Sequence, residues 1–224
     1  ARQAVHGYDP NINRFCFVPT FEAFLLLNAT YPDLVLPSKR AEWLESAEVA
    51  TEYQVESYGV RADAEPPGCY YANMDVHYML MLELASRMFD SPRYHEEAEK
   101  FLKLTADMLY PDGAFSYHGF QNECFTYHRI NVAHLARYWQ LTGSELARET
   151  VVKSRPYYPY NVEPGGVPEY YTDCFWKHYW GGVSPLGPEI VAGMTGCPQN
   201  RRIAKDELRW EQPNSYYSIY AASL

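Results

Sequence analysis

The stretch Val76-His77-Tyr78-Met79-Leu80-Met81-Leu82-Glu83-Leu84-Ala85 decides the fold, because only His77 and Glu83 interrupt ten otherwise apolar positions. A helix that is apolar almost all round has no solvent face and must be covered by neighbours on both sides. It runs through Arg87-Met88-Phe89 into the turn Asp90-Ser91 and restarts at Pro92-Arg93. The following segment, 94–109, is of a different kind. Ala98, Phe101, Leu102 and Thr105 recur at i, i+3, i+4 and i+7, with Glu96, Glu97, Glu99, Lys100 and Lys103 on the other side. An all-round apolar helix followed by an amphipathic one is a helical hairpin.

The turn recurs. Pro37-Ser38, Asp90-Ser91, Gly143-Ser144 and Gly196-Cys197 begin at positions that step by 53 residues. Repeats of this size are stacked supersecondary units, each too small to bury its own apolar face. The stretch 130–141 repeats the apolar helix type, and strand signals are sparse. The chain therefore reads as all-α: one domain over residues 1–224, built as about four helical hairpins with long aromatic loops between them. The expected arrangement is an α/α toroid, in which inner helices ring a cleft and the preceding loops line its mouth; a solenoid of helix pairs is the alternative. Four hairpins make an incomplete toroid, either a shortened version or a piece of a longer protein.

Composition narrows the function. The 224 residues carry 19 basic and 28 acidic side chains, a formal charge of −9, which excludes the broad basic footprint that nucleic acid or anionic lipid requires. The longest apolar run, around 15–27, is broken by Pro19 and Glu22 and is far short of a membrane span. Aromatic residues are 16% of the chain, with 21 Tyr supplying most of them. Many collect in the loops 61–71, 110–125 and 155–188. Loops that long in a compact domain tend to be functional.

Three groups of residues can carry chemistry. Asn73 opens the apolar helix and shares a face with His77, four residues on; Asn131 and His134 are paired similarly at three residues. For His134 the simpler reading is a hydrogen-bonded core residue. The segment 112–128 brings Tyr117, His118, Gln121, Asn122, Glu123, Tyr127 and His128 together ahead of the next inner helix, although part of this set can be a turn and capping network. The segment 162–182 holds Tyr171, Trp176, Lys177, His178 and Trp180. Aromatic rings of this kind stack on sugar faces while their polar tips meet hydroxyls; packing of an aromatic loop accounts for any single ring equally well. Asn73 and Tyr127 lie one repeat plus one residue apart, so they face the same cleft from adjacent hairpins. No metal-binding, nucleotide-binding or serine-hydrolase motif occurs, and no cofactor is called for.

Helical hairpins, aromatic loops, and an Asn on one inner helix with a Tyr about one hairpin later resemble the toroid-type polysaccharide lyases, the heparinase II/III-like and alginate-lyase-like group. The resemblance spans most of the chain and is architectural. It implies a lyase that cleaves a uronic-acid-containing glycan by β-elimination, secreted or periplasmic, without a metal. Asn73 would neutralise the uronate carboxylate and Tyr127 would protonate the leaving oxygen, with His77, His128 or Tyr127 itself as base. Tyr117, His118, Gln121, Asn122, Arg129, Tyr171, Trp176 and His178 would bind the acidic polysaccharide. The chain departs from the group in two ways: Met74, not His, follows the Asn, and no β-rich domain is visible. Two alternatives remain open: a glycoside hydrolase using carboxylates from Asp75, Glu123, Glu169 and Asp173, and a non-catalytic carbohydrate-binding helical-repeat protein.

Overall fold

Every regular element is a helix among the residues that the computed structural model describes, which are 10–59, 71–117, 123–164 and 184–209, with side chains from Cys16 onward. They are α1 (Pro10–Thr30), α2 (Pro37–Tyr58), α3 (Ala72–Phe89), α4 (Pro92–Asp107), α5 (Phe125–Thr142), α6 (Glu145–Lys153), α7 (Tyr157–Asn161), α8 (Leu186–Thr195) and α9 (Pro198–Glu207). Helix α1 runs through Pro19. Extended pairing among the described residues includes two isolated antiparallel bridges, Tyr71 with Tyr117 and Leu109 with Phe115.

The 53-residue interval is a structural repeat at three of its four members. Helices end at Phe89, Thr142 and Thr195, and their partners begin at Pro92, Glu145 and Pro198. The residue that turns the chain is left-handed each time: Asp90 (φ 51°), Gly143 (φ 73°) and Gly196 (φ 70°). That conformation suits Gly and is tolerated by Asp, whose short polar side chain bonds locally. The first member differs. Pro37 is the start of α2 rather than a turn residue, because its fixed φ suits the first helical position, and residues 31–36 make the connection.

The chain divides into two compact units, Ala1–Gly68 with His77–Phe101, and Cys69–Val76 with Leu102–Leu224. In the first, the α3 residues Tyr78, Met79, Leu80, Met81, Leu82 and Leu84 are buried, as an all-round apolar helix requires. Tyr78 meets Phe101 edge-on at 4.5 Å, and Phe101 stacks on Tyr58 at 5.8 Å. Such pairs each add about 0.5–1.5 kcal/mol beyond area burial. Glu83 breaks the apolar pattern without leaving a lone buried charge: it accepts from Arg87 Nε at 2.8 Å and pairs with His95 Nδ1 at 2.7 Å. Glu52 of α2 likewise takes Arg93 at 2.5 Å and the Tyr94 hydroxyl.

In the second unit α5 packs on α6 and α8, α8 on α6 and α9, and α9 on α7. Ser144 caps α6, its hydroxyl accepting from the Ala147 amide. A hairpin partner and a neighbouring hairpin thus cover α5 from two sides. Nearly all of its residues from Phe125 to Ala136 are buried.

Candidate functional site

Asn73 and Tyr127 both lie in the second unit, at the starts of the two inner helices. Asn73 is the second residue of α3 and Tyr127 the third of α5. A chain of tyrosines connects their neighbourhoods. Tyr71, two residues before Asn73, bridges to Tyr117 in antiparallel fashion, and their rings lie 5.3 Å apart. Tyr117 in turn lies 5.3 Å from the Tyr127 ring. Tyr117 and Cys124 form the buried centre of this cluster, while Tyr71 and Tyr127 are partly exposed at its edge.

The Asn73 amide oxygen is buried and makes no hydrogen bond among the described residues. An unmet buried acceptor costs about 1–3 kcal/mol, so the fold retains a group that it does not use. Asn131, one turn beyond Tyr127 on the same face of α5, is in the same condition. The i, i+4 spacing from Tyr127 is the sequence signal for Asn131; reading Asn131 only beside His134 hid it. Ser116 Oγ, next to Tyr117, is also buried without a partner among the described residues.

The two histidines of α5 serve the fold. His128 is buried between a backbone carbonyl and a phenol: its Nε2 donates to the Gly113 carbonyl at 2.9 Å and its Nδ1 accepts from the Tyr158 hydroxyl at 3.0 Å. Burial favours the neutral ring and pushes its pKa down to about 3. His134 donates from Nδ1 to the Ile130 carbonyl at 2.9 Å, and burial lowers its pKa to about 4. Arg129 is buried on α5, where its charge acts on Tyr158 against that of the buried Glu207. Burial first, then Glu207, holds the Tyr158 phenol well above its ordinary pKa. Gly187 at the start of α8 leaves room for that phenol: a Cβ there would fall 1.7 Å from the Tyr158 hydroxyl.

Of the remaining expected site residues, His77 is buried on the α3 segment that belongs to the first unit. Asp75 and Glu123 are buried carboxyl groups of the second unit. His118, Gln121, Asn122, Glu169, Tyr171, Asp173, Trp176, Lys177 and His178 lie outside the described residues. No group of three or more His, Cys, Asp or Glu is placed to hold a metal ion among the described residues. No described helix is long and apolar enough to cross a membrane. Comparison with protein-family models, with curated proteins and with solved structures yields no match.

Proposed function

We infer that the protein is a polysaccharide lyase that cleaves a uronic-acid-containing glycan by β-elimination, on an α/α-toroid-like array of hairpins, in a secreted or periplasmic setting. The observation that carries the reading is the buried Asn73 side chain, whose Oδ1 makes no hydrogen bond among the described residues, two residues after Tyr71 of the Tyr71–Tyr117–Tyr127 cluster. In the reaction, the C5–H bond of the uronate breaks, a C4–C5 double bond forms, and the C4–oxygen bond to the neighbouring sugar breaks. The C5 proton is too weakly acidic to leave until the adjacent carboxylate is neutralised, and an amide donor held in a partly dry site supplies that stabilisation. Tyr127 removes the C5 proton and returns a proton to the leaving oxygen. Tyr71 and Tyr127 offer aromatic faces to the sugar rings, and the Asn131 carbonyl accepts from a sugar hydroxyl. His128, with both ring nitrogens already bonded, holds the first turns of α5 and takes no part in proton transfer.

A second reading is favoured by Asp75 and Glu123, two buried carboxyl groups in the same unit: hydrolysis of a glycosidic bond by a carboxylate pair. Incubation with acidic polysaccharides separates the two. Elimination yields products that absorb in the ultraviolet through the new double bond; hydrolysis yields reducing ends without that absorbance.

A further inference from the structure

Helix α2 exposes more large apolar side chains than α4 or α9. The exposed positions of α4 are Pro92, Arg93, Glu96, Lys100, Lys103 and Asp107, and those of α9 are Pro198, Gln199, Arg201, Arg202 and Lys205. These are ordinary polar outer faces. On α2 the exposed line at i, i+3, i+7, i+11 and i+14 is Glu42, Glu45, Val49, Tyr53 and Glu56. Trp43 is exposed on another side of the helix, and Tyr31, Leu34 and Leu36 are exposed in the connection before it. Leu36 and Leu34 are 72% and 71% exposed. Large apolar side chains exposed side by side, as Val49 and Tyr53 are at i, i+4, offer an interaction surface.

Charge identifies the occupant. The exposed acidic groups of the α2 face are Glu42, Glu45, Glu48 and Glu56. Lys39 pairs with Glu42, and Glu45 and Glu56 make no ion pair among the described residues. A second copy would bring the same glutamates against these, in a chain of net charge −9, and like charges across an interface oppose association. We propose that the outer face of α2, with the 31–36 connection, docks a basic amphipathic helix of another polypeptide. Apolar side chains of the partner cover Val49 and Tyr53, while its lysines or arginines face Glu45 and Glu56. This is helix-on-helix recognition with i, i+3, i+4 anchors. It is independent of the glycan reading.

The test uses the 224-residue chain and a fluorescein-labelled, 18-residue helical peptide of leucine and lysine, with binding followed by anisotropy. Expected are saturable binding that weakens as salt is raised, and loss of binding when glutamate replaces lysine in the peptide. The Val49→Ser/Tyr53→Ser variant, which keeps every charge, weakens affinity at least tenfold; so does Glu45→Lys/Glu56→Lys. Both variants alter exposed positions and keep the helical circular dichroism of the parent. Equal affinity for parent and variants overturns the proposal, because the peptide then binds the net charge alone. Absence of saturable binding overturns it too. So does sedimentation showing a dimer that the Val49→Ser/Tyr53→Ser variant dissociates, since the occupant is then a second copy.

Discussion

The His128 imidazole lies flat on the Tyr157 ring, centroids 3.7 Å apart and planes 9° from parallel. Its edges are used by Gly113 and Tyr158, and Phe115 packs beside it at 5.2 Å. A buried ring with both nitrogens in hydrogen bonds takes up a proton only well below the ordinary imidazole range.

The pH dependence of stability follows. The unfolded chain protonates His128 near the ordinary imidazole pKa of 6.5, and the folded chain refuses the proton until about pH 3. Within that window the unfolded state binds more protons, so stability rises with pH and is lost as pH falls. His134 adds a smaller effect of the same sign, between 6.5 and about 4. For His128 the loss on going from pH 7 to pH 4 is about 3 kcal/mol. Urea unfolding at the two pH values measures it, and His128→Gln should flatten the difference; an unchanged difference contradicts the assignment.

Gly187→Ala should be among the most damaging single-methyl additions in the chain. The new Cβ meets the Tyr158 hydroxyl at 1.7 Å and its ring carbon at 2.5 Å, so the phenol must leave and with it the bond to His128. Overpacking of this kind costs about 1–3 kcal/mol. Thermal denaturation reads the loss; Gly193→Ala, where a Cβ meets nothing within 4 Å, is the matched control and should be close to neutral.

The hairpin turns make a separate prediction. At Gly143 and Gly196 an added Cβ touches nothing, but φ is 73° and 70°. Alanine at either position should cost about 1–2 kcal/mol through the backbone alone. Equal, additive losses in denaturant midpoints are expected for the two sites, and a neutral outcome at both would remove the left-handed turn as a determinant of the repeat.

Much of the fold is legible in residue spacing because a hairpin repeat is local. The apolar run 76–85, the amphipathic helix after it and the turn at Asp90, Gly143 and Gly196 each depend on neighbours a few residues away. The turn at Pro37 is the exception: proline is both a turn residue and a helix starter, and spacing alone does not distinguish the two roles. The candidate site is legible in part. Asn73 and Tyr127 stand at helix starts as their loop-to-helix positions imply. His128 was an equal candidate in sequence, since its partners Gly113, Tyr157 and Tyr158 come from segments 15 to 30 residues away, beyond the reach of helical periodicity. Arg129 is similar: a cation near a proposed anionic ligand in sequence, a buried charge acting on Tyr158 in the fold.

The central claim is that Asn73 and Tyr127 act together on a uronate. The most direct measurement is the initial rate of ultraviolet absorbance gain on alginate, heparan sulfate and hyaluronan for the parent chain, Asn73→Ala and Tyr127→Phe. The account predicts turnover of at least one polymer by the parent. It predicts a fall of at least about 10²-fold in kcat for each variant, the scale for losing an electrostatic stabiliser or a general acid–base, with folding unchanged. Full activity in both variants, or no absorbance gain by the parent on any uronate polymer, would contradict it.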